Sequence, residues 1–507
     1  MGYAQYTNNA DYVNNIYQWD VTADCLSDSI KRKGKEYLAS NELPASALNN
    51  PANYQLNEYI KHTYQTRVLP MAVFFNFTSS TVAAWVGTII RKPAMLILAD
   101  EGNESIIDYL TWNADGSGNG LDQQAKKALE TSLAYGGGLF LVTPPSLTMS
   151  QSSIRDGSVA PRINVFDRRR ILDWKYNYID SERKLTYLKL IDGRLLQDGY
   201  DYDDETLCIE YFLNDGLVTY SVTVETGDID TRLLEVDNEP LLVNGQQAKS
   251  IPAFPFGAQD NDLCVDSAPL TVIANKNIEH YQMSSRHQQQ CYDAGQGQYH
   301  IDLGDTSKSV TRSYDAEGKP VVGLEALNPG GLSLNSLVPV VTENGGSVNL
   351  MQITTDNLLA QEPERLEKQA QKLGAIMMTE QSNETATAAR IAASGMLAQL
   401  VTVSDNVSRA LTAAIESVGM FVGYEYDGIS YELSKDLVDV EYSPQDKLAD
   451  FQIWQGGGMP EKEYYNKQKF MRQISDAITF DEWKKQIEDE RMDNELGRLP
   501  TFGNNAG

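Results

Sequence analysis

Positive charge is scarce in this 507-residue chain. Lys and Arg number 42 against 70 Asp and Glu, giving a formal net charge of −28 at pH 7. Such a chain repels phosphate and cannot hold duplex DNA by bulk charge. Two short basic clusters interrupt the acidity, Lys31-Arg32-Lys33-Gly34-Lys35 and Arg168-Arg169-Arg170; both read as solvated surface. Cysteine is scarce too. Cys25, Cys208, Cys264 and Cys291 are scattered, with no pair at CxxC spacing. This excludes a zinc knuckle or a redox pair and leaves free thiols in a reducing cytoplasm. Long apolar runs are missing. The best, Thr81 to Ile90, ends at Arg91-Lys92-Pro93 and has about half of the ~20 residues a membrane span needs. The polar start Met1-Gly2-Tyr3-Ala4-Gln5-Tyr6 lacks a signal-peptide core, and Tyr6 stands where myristoylation needs Ser or Thr. The expectation is a soluble chain. The sequon Asn76-Phe77-Thr78 would then go unused.

Catalytic signatures are absent as well. No GxxxxGK[ST] phosphate loop and no GxSxG elbow occur. Gly136-Gly137-Gly138 follows a helical pattern and precedes a strand pattern, the reverse of a dinucleotide fold. Of the four histidines (His62, His280, His287, His300), His280 and His287 sit seven apart on one helix face. No carboxylate-rich motif accompanies them, so polar helix surface is the reading preferred over a metal pair. Asp201-Tyr202-Asp203-Asp204-Glu205 could suggest a nuclease metal site. A solvated turn before the strand Leu207 to Phe212 explains it more simply. No enzyme, cofactor or metal is expected.

What is present is an ordinary globular balance, 41% hydrophobic and 22% charged. The length implies two to four substructures. The first 265 residues read as mixed α/β. Asp24 to Ala39 is amphipathic. Tyr59 to Ile90 is helical, interrupted at Pro70. Asp115 to Gly120 is a loop, Leu121 to Tyr135 a helix stopped by the glycines, and Leu139 to Val142 a buried strand. From Ile163 to Val243 the pattern is one of short strands, and Ile251 to Gly257 closes this part. A helix from about Ser267 to Asp293 carries the stripe Leu270, Ala274, Ile278 and Tyr281, then turns polar. It would be roughly 40 Å long. A helix polar all round is not held by one core, so it is expected to pack on copies of itself or line an aqueous channel. Gln296 to Ile353 reads as a separate strand-and-turn insertion, and Asp356 to Ala375 as helix. After the short break Met377 to Asn383 comes the longest periodic stretch, Glu384 to Phe421. Asn383 is its expected N-cap, and Gly395 marks a kink. The last ~80 residues are helical and charged, and no internal repeat is visible.

This order resembles the portal proteins of tailed bacteriophages, in particular a portal family formerly catalogued as a domain of unknown function. The matching residues are Phe75 to Thr78 through Val86-Gly87 to Arg91-Lys92-Pro93, Asp115 to Gly120 with Tyr135-Gly136, and Pro269 to Tyr281. The most specific is Ser382-Asn383-Glu384-Thr385-Ala386-Thr387-Ala388-Ala389-Arg390-Ile391. The resemblance covers about residues 55 to 480. It implies an α+β chain with a portal fold: an α/β wing (1–265), a first stem helix (266–295), a strand-containing clip (296–354) and a second stem helix (355–376). A tunnel loop (377–383), a long kinked helix of the wing (384–423) and a helical crown-like region (424–507) complete it. The implied DNA-channel residues are Met377, Met378, Thr379, Glu380, Gln381, Ser382 and Asn383 in the tunnel loop, and Arg286, Gln289 and Gln290 on the stem. The implied partners are eleven further copies in a dodecamer, the large terminase during packaging, a head–tail adaptor and tail proteins, and the major capsid or scaffolding protein. Double-stranded DNA would pass through the ring, without a membrane. The implied location is one capsid vertex of a virion, assembled in the host cytoplasm. The alternatives are another virion structural protein, such as a head–tail adaptor, or an acidic metal-dependent hydrolase.

Overall fold

The computed structural model describes residues 8–40, 42–49, 51–97, 104–144, 161–198, 201–226, 232–243, 245–295, 358–372, 386–422 and 429–435, with four short strands between 300 and 342. These lie in one compact unit, Met1–Lys435; parts of 451–487 are described in a second, Asp436–Gly507. The class is α+β: helices with sheets whose strands, in the first 265 residues, all pair antiparallel.

Helix α1, Ala10–Leu26, starts at Asn9, whose side-chain oxygen accepts from the Asp11 N–H (2.9 Å). It begins well before the amphipathic stretch expected from Asp24. Asn, Asp, Tyr and Trp are indifferent helix formers, and burial of Tyr12, Trp19, Val21 and Cys25 holds them helical instead. Helix α2, Pro51–Thr63, continues through a π-helical turn, Tyr64–Val68, and a last turn, Leu69–Met71. The interruption expected at Pro70 therefore falls just after it, where 72–76 run without helix. The apolar run becomes α3, Phe77–Ile89, with Phe77, Val82, Trp85, Val86 and Ile89 buried. It is a core helix; among the described residues no helix is long and apolar enough to cross a membrane. After β1, Met95–Ile97, and α4, Glu104–Asn113, helix α5 spans Leu121–Tyr135 as expected. The Gly120 N–H donates to Gln123 Oε1 (3.0 Å) at its start, and Gly136 ends it in the left-handed region (φ 78°).

Strand β2, Gly137–Thr143, lies between β3, Arg162–Asp167, and a later strand; its Leu139, Phe140, Leu141 and Val142 are fully buried. The next strands form a five-stranded meander in chain order: β4, Ile171–Ile179; β5, Glu182–Asp198; β6, Asp201–Asn214; β7, Leu217–Thr226; and β8, Arg232–Pro240. Short strands were expected, but β5 has 17 residues and β6 has 14. The acidic run 201–205 is not a turn: it opens β6, with Asp201 opposite Asp198 and Glu205 opposite Arg194. Backbone pairing carries the ladder past the last apolar residue, because cross-strand hydrogen bonds do not require apolar side chains. A small hairpin, β9 Leu242–Val243 and β10 Gln246–Gln247, leads to β11, Ala253–Gly257, which returns to pair with β2. The triple glycine lies where three backbones converge. A Cβ on Gly136, Gly137 or Gly138 would overlap the carbonyl oxygen of Asp266, Phe256 or Phe166 respectively.

Then comes α6, Pro269–Gly295. Four short strands follow it: β12 His300–Asp302, β13 Ser313–Tyr314, β14 Pro320–Val321 and β15 Val340–Thr342. β12 pairs parallel with β15, and β13 antiparallel with β14. Helix α7, Leu358–Lys372, packs on α6, and α8, Ala386–Val422, is 37 residues long. Of its expected stripe, Ala389, Ala393, Leu397, Leu400, Ser404, Val407, Leu411, Ala414, Val418 and Phe421, the seven from Leu400 onward are buried and Leu397 is half-buried, while the side chains of Ala389 and Ala393 lie outside the described residues. β16, Ser430–Glu432, pairs antiparallel with β1, and the Thr412 and Ser408 hydroxyls of α8 accept from the N–H groups of Tyr431 (3.0 Å) and Leu433 (3.1 Å). Met377 to Asn383, including the expected N-cap, lie outside the described residues. In the second unit, α9, Glu461–Phe470, carries Tyr464 stacked on Trp454 (4.6 Å) and Tyr465 edge-on to Phe480 (5.4 Å).

Candidate functional site: helix α6, its root and its polar end

The root of α6 is the loop 258–266. Asp266 accepts the Gln259 N–H (2.7 Å), the Leu263 N–H donates to the Tyr176 hydroxyl (3.1 Å), and Asn261 reaches the Asn406 carbonyl on α8 (3.0 Å). The main clamp is Arg168, which is fully buried. It donates to the carbonyls of Leu263 (2.8 Å), Cys264 (2.7 Å) and, more weakly, Asp262 (3.3 Å). Burial lowers its affinity for the proton. The expectation of a solvated basic cluster is thus corrected. Arg168 exchanges water for carbonyls offered by a distant loop. Arg169 pairs with Asp167 (3.0 Å) over the Tyr135 ring, and Arg170 pairs with Asp192 beside the Phe166 ring. The other basic cluster is also partly engaged, Lys33 pairing with Asp24 (2.6 Å).

The first half of α6 is embedded. Leu270, Ile273, Ala274 and Tyr281 are buried, and Ala274 and Tyr281 join Val21, Cys25, Ile30, Tyr64 and Ala72 in one apolar cluster. Burial pushes the Cys25 thiol and the Tyr281 hydroxyl each up to about 12. Polar residues are embedded too. Asn277 is fully buried: its oxygen accepts from the Thr78 N–H (3.1 Å) and hydroxyl (2.8 Å), and its amide donates to the Phe75 carbonyl (2.9 Å). His280 is 6% exposed, lies beside the Phe75 and Phe77 rings, and places Nε2 3.2 Å from Glu367 of α7. Gln282 donates to the Tyr37 carbonyl (2.8 Å). This corrects the reading of His280 as polar helix surface. It also corrects the expectation that the helix lacks a place to pack within one chain, because buried polar groups are stable once partnered.

Beyond Ser285 the helix opens to solvent. Arg286 is exposed; Gln289 and Gln290 are half-buried. At about 100° per residue these three share one sector of the helix, whereas His287, Gln288 and Cys291 point elsewhere. The Cys291 Sγ lies 3.5 Å from His287 Nε2, and both line a shallow groove with Met71, Gln288 and Tyr292. The Arg67 guanidinium sits 4.6 Å from the Tyr292 ring centroid. The His287–Cys291 spacing was visible in sequence as i, i+4 and went unread; Met71 comes from a distant segment that no local pattern could supply. Among the described residues no group of three or more His, Cys, Asp or Glu is arranged to hold a metal.

A family described as a domain of unknown function (DUF4055) matches residues 269–422, from the start of α6 to the end of α8. No curated protein matches the sequence. Among solved structures, the chain is similar to a component of the virion of a native gene transfer agent (GTA) particle, at 12% identity and a TM-score of 0.32 over 77% of this chain and 88% of that one. It is likewise similar to a component of the neck of an empty GTA particle computed with C6 symmetry, at 12% identity and a TM-score of 0.34 over 79% and 91%.

Proposed function

We propose that the chain is a virion structural component of the head–tail junction, and more specifically a portal subunit. In this reading it forms a ring at one capsid vertex through which double-stranded DNA enters and leaves. One observation carries this reading: α6 and α7 pack together with a strand-bearing segment between them, and α8 follows and packs its buried second half on β2, β11 and α5. That is the helix, insertion, helix, long-helix order of the portal resemblance, and the family match begins and ends with it. Arg286, Gln289 and Gln290 would face the channel from α6, and Met377 to Asn383 would form the loop nearest the DNA. The net charge of −28 suits such a conduit, because repelled phosphates slide instead of adhering. The chain would supply no catalytic step and need no cofactor; a separate terminase would dock on the 296–354 insertion and drive packaging. A heterologous contact that closes gives the ring.

Negative-stain microscopy and light scattering of the purified chain test this. Closed rings with a central hole are the expected outcome, and monomers at all concentrations and at low and moderate salt would refute it. In assembled particles, replacing Glu380 and Gln381 with Lys is expected to leave rings intact and slow DNA passage, most at low salt, because each new phosphate contact releases counterions. Unchanged passage at low salt would place that loop away from the channel.

A further inference from the structure

We propose that Cys291, His287 and Met71 form a site for a thiophilic monovalent metal ion, copper(I). The two helical ligands are four residues apart on one face of α6, and Sγ and Nε2 are 3.5 Å apart. A shared ion bound at about 2.3 Å from sulfur and about 2.1 Å from nitrogen at tetrahedral angles sets its ligands roughly 3.6 Å apart. The separation already matches, and because Sγ also lies 3.9 Å from Nδ1, the imidazole must turn about its Cβ–Cγ bond to aim the Nε2 lone pair at the shared ion. Met71 lines the same groove and is partly exposed, which brings a thioether from the last turn after α2. Thiolate, imidazole and thioether are soft or borderline donors, a set that favours copper(I) over zinc, calcium or magnesium. The charge agrees. The thiol gives up its proton to solvent as the metal–sulfur bond forms, and thiolate plus a monovalent ion is neutral. A neutral centre adds no charge to a groove edged by Tyr292, over whose ring the Arg67 guanidinium lies at 4.6 Å. The groove lies off the sector of Arg286, Gln289 and Gln290, so the site is compatible with the proposed channel but does not depend on it.

The test is an anaerobic competition between the full-length chain and a chromophoric copper(I) chelator, with ascorbate holding the metal reduced. The expected result is a single equivalent withheld per chain. Cys291→Ser should abolish retention, His287→Gln and Met71→Leu should each weaken it by about tenfold or more, and Cys264→Ser should leave it unchanged. A measurement on the unaltered protein guards against folding defects: copper(I) should protect Cys291 from alkylation while Cys264 stays reactive. Retention that survives Cys291→Ser, an unaltered affinity in Met71→Leu, zinc withheld in preference to copper(I), or no protection of Cys291 would each overturn the proposal.

Discussion

The two halves of α6 differ less in polarity than in what their neighbours offer. Before Ser285 the helix buries Asn277 and His280 beside Leu270 and Tyr281, because Thr78, Phe75 and Glu367 stand ready as partners. After it, Arg286 is exposed, and among the described residues Gln289 donates to Ser285 on its own helix (3.4 Å). The lesson is that a polar residue becomes interior when a second element presents matched groups at the right depth.

Substitutions can break this contrast. The largest effect is expected from Tyr281→Ala, which empties a fully buried aromatic site and should cost about 4 kcal/mol in urea unfolding. Tyr281→Phe should lie within about 0.5 kcal/mol of the parent, since among the described residues the buried hydroxyl has no hydrogen-bond partner. Asn277→Ala should cost about 3 kcal/mol by stranding the Thr78 hydroxyl and two backbone groups. A third effect appears only in alkali. Below pH 9.0, the ordinary thiol value, Cys25 is protonated folded or unfolded; between there and about 12 only the unfolded chain loses that proton. Stability should therefore fall by about 1.4 kcal/mol per pH unit from this group as pH rises through that window. Cys25→Ala should flatten the fall, and an unchanged slope would show that the thiol is not shielded. The smallest effect is expected at the other end: Arg286→Ala should leave the isolated chain's stability within about 0.5 kcal/mol.

Legibility in the sequence followed the same division. Helix α5 could be read to the residue because its signals are local, with Gly120 and Gln123 at one end and Gly136 at the other. The buried stripe of α8 was legible because its period repeats over many turns. The start of α1 was not, since its helicity rests on tertiary burial of Tyr12 and Trp19. The lengths of β5 and β6 were hidden because register with a neighbouring strand extends them through Asp-rich residues. Arg168 was misjudged because its acceptors lie about a hundred residues away at 262–264. Of the candidate site, the polar end of α6 was legible and its groove was not, because Met71 comes to line the same groove as Cys291 only in three dimensions.

The run Gly136-Gly137-Gly138 has a consequence for how this sequence can drift. Each position touches a different strand or loop, so no single compensating change elsewhere could make room for a side chain at all three. In a saturation library selected for folded protein, these codons should return as a block of silence, three adjacent positions fixed as glycine. The flanking Tyr135 and Leu139 should still accept shape-preserving neighbours. Such a block would serve as a fingerprint of this convergence of backbones in sequences too diverged to align by any other means.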